Sequence, residues 1–437
     1  MRPLLVLALL AVPALAAAQS NLAAELDRRA RDVEAQVVTW RRDFHQHPEL
    51  SNREARTGKI VADYLKSLGL EVRYPVAHNG VVATLRGGRP GPVVALRADM
   101  DALPVTEEVD LPFKSTVRTT FNGQEVGVMH ACGHDGHTAM LMGAATILAG
   151  MRDRLPGTVK FIFQPAEEGV PPGEQGGAPL MIREGALENP KVDAIFGLHV
   201  FPMHTGEIHY KAGGIMASSD RYQIVVNGKQ THGAQPWGGV DPIVVSSQII
   251  MGLQTIISRQ ADITKAPAVV TVGRINGGIR FNIIPDSVFI EGTVRTFDPA
   301  MRDDIFARIR RTAESIAAAS GATARVIVAG DGNPPTVNDP ALMARMLPTL
   351  QRVAGQPNVK EAIPTTTAED FSYYMKSTPG IFYFLGVTPK DRDVNTVARN
   401  HSPKFFVDEA ALPLGTRSLA AMAIDYLTLT PSRPAPR

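Results

Sequence analysis

The most chemically suggestive stretch of the sequence is Met129–Thr138, which reads M-H-A-C-G-H-D-G-H-T. It contains Cys132, the only cysteine of the chain, and His134 two residues later. A thiolate and an imidazole at this spacing, with a glycine between them, can turn toward one ion, and borderline-soft metals such as Zn²⁺ accept this mixture of ligands. A buried structural cysteine in a histidine-rich loop is the alternative interpretation. The stretch therefore predicts a metal site that needs further ligands from elsewhere in the chain.

Polar side chains follow three short apolar runs whose composition is typical of buried strands. The runs are Val93–Leu96, Thr158–Phe163 and Ala194–Leu198, and the polar residues after them are Asp99 and Asp101, Glu167 and Glu168, and His199. Ligands of open α/β sheets bind beyond the carboxyl ends of the strands. We therefore expect these side chains to lie close together at one edge of a sheet.

Glu167 and Glu168 are adjacent carboxylates at an irregular strand end, where neighbours can point in different directions. One can ligate a metal while the other acts as a general base toward water. Two solvated glutamates in a turn are the alternative, as a satisfied core histidine is for His199. His401, in a polar loop ahead of the last predicted helix, is a further candidate ligand. Together with the Cys132 stretch, these residues favour a metal-dependent hydrolase.

Six motifs together resemble the metal-dependent amidohydrolases that include aminoacylases, hippurate hydrolases, indole-acetyl-amino-acid hydrolases and related carboxypeptidases. They read R-R-D-F-H-Q-H-P-E-L at Arg41–Leu50, R-A-D-M-D-A-L-P at Arg97–Pro104, M-H-A-C-G-H-D-G-H-T, Q-P-A-E-E-G, G-L-H ending at His199, and N-H-S-P at Asn400–Pro403. Their order and spacing agree with that family over nearly all of the chain.

The resemblance implies a centre with two divalent metal ions, zinc or manganese by analogy. The residues that would hold them are Cys132, His134, Glu168, His199 and His401. Cys132 would bridge the ions, Glu167 would be the general base, and Asp101 would orient a ligand. Related branches of the superfamily carry His at the position of Asp99 and a bridging Asp, so this chain resembles the thiol-containing branch.

Two segments within residues 214–333 carry further matches. His232, in T-H-G-A-Q-P, resembles a histidine that stabilises the oxyanion of the tetrahedral intermediate, often across a dimer interface. Asn282 resembles an asparagine that contacts the substrate. Arg280 is interpreted as a bidentate clamp for the α-carboxylate of the substrate, with an exposed surface arginine as the alternative.

The length of 437 residues exceeds that at which one hydrophobic core keeps growing, so we expect two domains. The predicted fold class is α/β: a larger catalytic domain with a mostly parallel sheet, and an inserted smaller α+β sandwich that serves as lid and dimerisation domain. The predicted boundaries are 1–18 for a signal peptide, 19–213 and 334–429 for the catalytic domain, 214–333 for the inserted domain, and 430–437 for a disordered tail.

Hydrophobic periodicity predicts the individual elements. Helices are predicted at Leu22–Phe44, Thr57–Leu68, Thr138–Gly150, Pro242–Arg259, Met301–Ala319, Pro340–Val353 and Asp408–Leu427. Besides the three runs above, strands are predicted at Val81–Leu85, Arg221–Val226, Val269–Ile275, Val288–Phe297, Arg325–Ala329 and Ile381–Leu385.

The N-terminus has the pattern of a secretory signal peptide, because Met1-Arg2 precedes an apolar run, Pro3–Ala18, that ends in three alanines. This pattern predicts cleavage near Ala18 and a periplasmic or secreted protein without membrane contact after cleavage. The near balance of 45 basic and 43 acidic side chains argues against a nucleic-acid-binding protein.

The predicted function is hydrolysis of the amide bond of N-acyl amino acids, with Glu167 as the base that activates water at the metals. A metallocarboxypeptidase or dipeptidase acting on short peptides is the alternative within the same chemistry. A cysteine hydrolase with Cys132 as nucleophile is a further alternative, but the sequence shows no clear base and orienting residue for the thiolate. A non-catalytic binding protein is disfavoured because only catalysis requires Glu167. The family resemblance also implies a homodimer formed through the inserted domain.

Overall fold

The structure is a computed structural model that describes residues 4–330 and 332–429, with side chains described from residue 21 onward. It divides into two compact units. The first comprises the chain up to Lys211, Asn338–Ala362 and the residues from Tyr374 onward; the second comprises Ala212–Val337 and Ile363–Tyr373. The predicted tail, 430–437, and the first three residues of the predicted signal peptide lie outside the described residues.

Helices and strands alternate along much of the described chain. The helices are α1 Leu4–Gln46, α2 Ala55–Ser67, α3 His134–Ala149, α4 Gly177–Arg183, α5 Pro242–Thr255, α6 Pro299–Ala319, α7 Pro340–Ala354, α8 Ser372–Met375 and α9 Leu412–Leu429. The strands are β1 Glu71–Val76, β2 Gly80–Arg86, β3 Arg89–Asp99, β4 Arg118–Phe121, β5 Gln124–Gly127, β6 Pro156–Gln164, β7 Ala194–His204, β8 Ile208–Tyr210, β9 Gly213–Met216, β10 Asp220–Asn227, β11 Thr231–His232, β12 Ala268–Gly277, β13 Ile283–Ile284, β14 Ser287–Thr296, β15 Thr323–Val328, β16 Thr336–Asn338, β17 Val359–Glu361 and β18 Gly380–Thr388.

An eight-stranded sheet forms the centre of the first unit, in the order β1-β2-β6-β3-β7-β18-β8-β17. The inner strands β6, β3, β7 and β18 pair in parallel, which confirms the predicted α/β fold with a mainly parallel large sheet. Strands β6 and β18 are buried along nearly their whole length, which explains their continuous apolar sequence. Because β6, β3 and β7 are parallel neighbours, the residues after their carboxyl ends meet at one edge of the sheet.

Helices α3 and α9 pack against β3, and α1 packs against α3 and α9. Almost every residue of α3 is buried, so this helix has no polar face, as its alanine-rich sequence indicates. The sheet and these helices share one hydrophobic core that includes Leu96, Phe161 and Phe196. The N-terminus of α3 is thereby fixed against the sheet edge.

The second unit contains a four-stranded antiparallel sheet in the order β12-β14-β10-β15, with α5 and α6 packed on it. Buried and exposed residues alternate along β14, as expected for a sheet covered on one face. Both helices begin with an Asp-Pro pair. Asp241 and Asp298 accept hydrogen bonds from the first free backbone N–H groups, while the proline occupies the position where no N–H is needed.

Helix α1 differs most from its predicted bounds, because it begins at Leu4 and runs without a break to Gln46. Among the described residues, no helix combines the length and apolarity needed to cross a membrane. The short hairpin formed by β4 and β5 was not predicted, since its strands are largely exposed and lack a clear apolar alternation. Its turn residues Asn122 and Gly123 both have positive φ, the pattern of a type I′ hairpin turn.

Candidate metal centre

Cys132 lies at the middle of a cluster of potential metal ligands in the first unit. Its Sγ is 3.3 Å from His199 Nε2 and 3.3 Å from His401 Nε2. Two sets of three ligand atoms, each set within 4.8 Å, share this sulfur: one adds His134 and His199, the other adds Glu168 and His401. The structure thus brings together all five residues predicted as ligands.

His134 is held by Asp101 in an orientation suited to a metal ligand. Its Nδ1 lies 2.8 Å from the Asp101 backbone oxygen and 3.2 Å from Asp101 Oδ1, and because both are acceptors this nitrogen carries the proton. The opposite nitrogen, Nε2, is buried and has no hydrogen-bond partner among the described residues. Asp101 Oδ2 accepts from Ser51 Oγ at 2.7 Å and from the Glu168 backbone N–H at 3.0 Å. One carboxylate therefore positions both a histidine and the glutamate segment.

Glu167 lies beside this cluster, with its Oε2 4.0 Å from His134 Nε2. It is partly buried and groups with His134 and Glu168, but it does not belong to either of the two ligand sets that share Cys132. The preceding residue, Ala166, has a φ of 55°, in the left-handed region that non-glycine residues rarely adopt. The chain turns sharply at this point, which separates the directions of the two adjacent glutamates.

The cluster concentrates negative charge in a buried space. Burial raises the pKa of the Cys132 thiol well above its usual range, and the charges of Glu168 and Glu167 raise it further. Burial disfavours the charged form of His134, but nearby carboxylates, Asp99 foremost, outweigh this effect and raise the pKa of His134 to about 10. The surplus of carboxylates contributes to both shifts, and a bound cation would compensate this negative charge.

His199 directs its unprotonated nitrogen toward the Cys132 sulfur. Its Nδ1 donates to the Val200 backbone oxygen at 2.8 Å, which leaves Nε2 as the nitrogen facing Cys132. Burial lowers the pKa of His199 well below its usual range, and this favours the neutral imidazole that binds metals. The unpartnered His134 nitrogen, the shared sulfur and the sulfur, nitrogen and oxygen donor set fit two divalent ions.

Asp99 and His137 form a buried pair that adjoins the cluster at His134, whose Nε2 lies 3.7 Å from Asp99 Oδ1. His137 Nδ1 donates to Asp99 Oδ1 at 2.6 Å, and its Nε2 accepts from the Val200 backbone N–H at 2.9 Å. The other oxygen of Asp99 accepts from Arg97 Nη1 at 2.5 Å. Since both His137 nitrogens have partners, this histidine supports the site rather than ligating a metal.

Gly133 allows the chain to turn from Cys132 into helix α3. Its φ of 99° lies in the left-handed region, and a Cβ at this position would meet Val200 Cγ2 at 2.3 Å. The glycine therefore permits Cys132 and His134 to face the same space.

We expect Gly133→Ala to lower the free energy of unfolding by about 2–5 kcal/mol, because it combines backbone strain with overpacking. The matched control is Gly136→Ala in the same helix, where an added Cβ meets Leu412 Cδ2 at an ordinary 3.5 Å. The control should change stability by no more than about 1 kcal/mol. Urea denaturation followed by circular dichroism measures both, and equal stability of the two variants would contradict this account of Gly133.

His232, Arg280 and Asn282 lie in the second unit, near one another. Strands β11 and β13 pair His232 with Ile283, and the Gly233 N–H donates to the Asn282 backbone oxygen at 2.9 Å. His232 Nδ1 accepts from the Ala234 N–H at 3.0 Å, so the neutral ring carries its proton on Nε2. These backbone contacts place the three residues in one local segment of the second unit.

Several residues that support the cluster were not identified from the sequence. Asn400 donates through Nδ2 to the backbone oxygens of Cys132 and Val200, at 3.0 and 3.1 Å, and so anchors the loop of His401. Glu54 accepts from the Ala166 N–H at 2.8 Å, directly before Glu167. Burial, followed by the charge of Asp101, raises the pKa of Glu54 to about 8.

A further buried network joins α1 to α3. Arg41 Nε and His45 Nδ1 both contact Asp135 Oδ2, at 2.9 and 2.8 Å, and His45 Nε2 lies 3.0 Å from Glu107 Oε1. Asp135 directly follows His134 in the chain, so this network fixes the first turn of α3. The R-R-D-F-H-Q-H-P-E-L motif indicated that this region matters, but not which partner each side chain has.

The model of the peptidase family M20/M25/M40 matches residues 95–425 of the chain. This protein belongs to that family. It is 40% identical to thermostable carboxypeptidase 1 of Saccharolobus solfataricus, over 93% of this chain and 99% of the relative. It is 41% identical to N-acetyl-L-cysteine deacetylase of Bacillus subtilis, over 87% of this chain and 85% of the relative. The predicted family resemblance is thereby confirmed.

Among solved structures, the chain is similar to the Bacillus subtilis YXEP protein, described as a dinuclear metal binding peptidase of the M20 family. The two share 37% sequence identity with a TM-score of 0.75, over 91% of this chain and 99% of that one. The relatives of this M20 chain bear the names of peptidases and deacetylases, enzymes that cleave amide bonds. The chain is therefore an amide-bond hydrolase of a metal-dependent family.

The predicted periplasmic or secreted localisation is wrong. The relatives, a carboxypeptidase and a deacetylase matched over most of their own length, give no support for export. In the structure, the predicted cleavage point near Ala18 lies inside α1, whose backbone continues as a regular helix to Gln46. In the structure, the apolar run from which export was predicted forms the first part of α1.

Proposed function

We propose that this M20 enzyme hydrolyses the amide bond of N-acyl amino acids at the Cys132 cluster. The observation that carries the proposal is the sharing of Cys132 Sγ by two sets of ligand atoms, with Glu167 beside them. The likeness to N-acetyl-L-cysteine deacetylase supports an acyl amino acid as the substrate class.

The proposed cofactor is a pair of zinc or manganese ions. The residues that would hold them are Cys132, which would be shared, and His134, Glu168, His199 and His401. A set with one thiolate and three imidazoles favours zinc, while its carboxylate also suits manganese. When bound, such ions polarise a carbonyl oxygen and lower the pKa of water.

Glu167 is the proposed general base. Its carboxylate would accept the proton of the attacking water and pass it to the nitrogen of the departing amino acid. Asp101 would keep the Nδ1 proton of His134 in place and hold the Glu168 backbone, so its contribution is the positioning of ligands.

His232 is the proposed donor to the oxyanion of the tetrahedral intermediate. Its exposed Nε2 carries the proton when the ring is neutral, because Nδ1 accepts from the Ala234 N–H. A donor aimed at developing negative charge lowers the barrier more than it lowers the energy of the bound substrate.

Replacing His232 by Ala should lower kcat by about 10²–10³-fold, the usual effect of removing an oxyanion donor. Gln235→Ala, in the same exposed loop, is the matched control and should leave kcat unchanged. Steady-state kinetics on one N-acyl amino acid compares them; a His232→Ala enzyme with the kcat of its control would remove this residue from the mechanism.

Asn282 and Arg280 are the proposed substrate contacts of the second unit. Asn282 Oδ1 is buried without a hydrogen-bond partner among the described residues, which suits an acceptor kept for a ligand. Arg280 is exposed between Ile279 and Phe281, whose side chains are 98% and 95% exposed. We assign Arg280 to the α-carboxylate of the substrate.

Hydrolysis of short peptides is the second candidate function, since the chain is equally similar to a carboxypeptidase. An N-acyl amino acid and a dipeptide present the same amide and the same terminal carboxylate. The two substrates differ on the acyl side of the scissile bond, where the dipeptide carries a free α-amino group. Recognition of this side therefore determines which substrate class the enzyme prefers.

The second unit is proposed to serve as a lid and as the contact of a homodimer, with boundaries near residues 214 and 333. Strand β12 lies at the edge of its sheet and exposes Val269 and Ile275, while α5 exposes Met251. An apolar edge strand of this kind is stabilised by pairing with another chain. Sedimentation equilibrium should give twice the chain mass; the mass of one chain at all concentrations would contradict the dimer.

The proposed function is tested with a panel of N-acyl amino acids, dipeptides and N-acyl amino acid amides, assayed before and after chelation and metal restoration. We expect chelator-sensitive hydrolysis that favours N-acyl amino acids. The amides lack the carboxylate assigned to Arg280 and should have a raised KM. Preference for dipeptides would select the second candidate, and activity unaffected by a strong chelator but lost on thiol alkylation would instead favour Cys132 as a nucleophile.

A further inference from the structure

A cavity of about 520 Å³ lies next to Glu168 within the first unit. Its base consists of two extended segments, residues 50–51 and 102–104, which are joined by a parallel bridge between Leu50 and Ala102. Its other walls are the tip of the β4–β5 hairpin, residues 119–122, and the loop 169–172 that directly follows Glu168.

The cavity is connected to the proposed metal ligands by a short chain of hydrogen bonds. Ser51, which lines the cavity, donates to Asp101 Oδ2 at 2.7 Å, and the same oxygen accepts from the Glu168 N–H at 3.0 Å. Asp101 in turn holds His134. A group that lies in the cavity is therefore adjacent to the cluster where the amide would be cleaved.

The cavity walls are mainly apolar. Leu50, Leu103, Phe121, Val170 and three prolines supply most of the side chains, with hydroxyl groups from Ser51 and two threonines. The volume falls in the range of small-molecule pockets, which bind through apolar area and a few polar groups. Such a surface suits an uncharged hydrocarbon part of a ligand.

Among the residues that line the cavity, Arg53 is the one with a positive charge, and this charge is paired with Glu174. Arg53 contacts both carboxylate oxygens of Glu174, through Nη1 at 3.0 Å and Nη2 at 2.5 Å. Asn52 Nδ2 donates to the same carboxylate at 3.0 Å, so the loop that carries Val170 is tied to the segment that carries Arg53. Because the charge of Arg53 is compensated by Glu174, and Glu168 adds a negative charge at one side, the cavity disfavours binding of the α-carboxylate of an amino acid.

We propose that this cavity binds the acyl group of the substrate and that the enzyme prefers acyl groups larger than acetyl. This inference rests on the proposed N-acyl amino acid hydrolysis and specifies its substrate. The leaving amino acid carries a carboxylate that the cavity does not receive, whereas a medium-length alkanoyl or an aryl group matches its apolar walls. An acetyl group would leave most of the 520 Å³ unused.

The expected specificity follows from the burial of each methylene. In a series of N-alkanoyl alanines, kcat/KM should rise about fourfold for each methylene added, until the cavity is filled. Variation of the amino acid with a constant acetyl group should not follow this trend.

The test is Val170→Trp, which places a large ring in the cavity from an exposed position that tolerates change. N-octanoyl-alanine should lose at least tenfold in kcat/KM relative to N-acetyl-alanine. Gln124→Trp is the matched control, because Gln124 is exposed on the same hairpin but does not line the cavity. Phe121→Ala, which enlarges the cavity, should shift the preference toward longer or aryl groups.

The result that would overturn the inference is an unchanged acyl-chain preference in Val170→Trp and Phe121→Ala, or a change in amino-acid preference instead. The failure of the proposed function is distinguishable, since it appears as wild-type protein that hydrolyses no member of either series. In that case, calorimetric binding of octanoate decides: wild-type protein should bind octanoate more tightly than acetate, and Val170→Trp should lose this difference. Equal binding of both acids by wild-type protein would reject the cavity as an acyl site.

Discussion

Replacement of Glu167 by Gln should lower kcat by about 10³-fold or more while the protein keeps its metal ions. The substitution preserves the size of the side chain and removes only its ability to accept a proton. Glu167 lies near His134 and Glu168, with its Oε2 4.0 Å from His134 Nε2, but it is not a member of the two ligand sets that share Cys132, to which we assign the ions. The loss should therefore appear in turnover and leave metal binding intact.

The adjacent residue supplies the matched control for this prediction. Glu168→Gln removes a carboxylate that belongs to one ligand set with Cys132 and His401, and it should lower metal content together with activity. Elemental analysis of both purified variants, with single-turnover kinetics for Glu167→Gln, separates the two roles. A Glu167→Gln enzyme with more than a tenth of wild-type kcat would show that Glu167 is not the general base. A Glu167→Gln enzyme with reduced metal content would show that Glu167 is a metal ligand instead.

Replacement of Cys132 by Ser should have the largest effect on metal binding. Both ligand sets contain the Cys132 sulfur, so its removal deprives each proposed ion of a ligand, whereas loss of His199 or His401 weakens only one set. A serine hydroxyl is not ionised at neutral pH and is a poor ligand for borderline-soft ions. We expect fewer than about one bound ion per chain and no measurable hydrolysis.

The comparison that sharpens this prediction is Cys132→Asp. A carboxylate has two oxygens that can contact two ions, so this variant should retain more metal than Cys132→Ser. His199→Ala serves as the single-set comparison and should lose about one ion. Retention of full metal content by Cys132→Ser would show that the sulfur does not ligate.

Much of the cluster around Cys132 was predictable because its residues follow the carboxyl ends of parallel strands. Strands β3, β6 and β7 were recognisable as continuous apolar runs, and parallel neighbours bring their ends together whatever the length of chain between them. The sequence alone therefore predicts that Asp101, Glu167, Glu168 and His199 lie together. His401 was grouped with them only through its motif, since it comes from a loop rather than from a strand.

The supporting contacts could not be predicted, because they depend on tertiary packing. Nothing in the local sequence of Glu54 indicates that its carboxylate accepts from the Ala166 N–H, 112 residues further along the chain. The clamp from Asn400 to the Cys132 carbonyl likewise requires the loop geometry. The β4–β5 hairpin is a different case, since its Asn122-Gly123 turn was a recognisable signal, but its exposed strands lack the apolar pattern that identifies strands.

The N-terminal helix shows the limit of interpretation by pattern. An apolar run after a basic residue fits both a signal peptide and the first turns of a helix, because both need apolar residues over a similar length. In this chain the run continues into α1, whose later residues Leu26, Val33 and Val37 are buried in the core. The amphipathic part was predicted from Leu22, where polar residues first reveal the helical period.

The most direct test of the central claim is the number of divalent ions bound per chain, measured by elemental analysis of the purified protein and followed through chelation and restoration. We expect about two ions, with hydrolysis of N-acyl amino acids that disappears when they are removed and returns when zinc or manganese is restored. A protein that binds no divalent ion under these conditions, or that hydrolyses its substrate equally well without them, would contradict the dinuclear centre at Cys132.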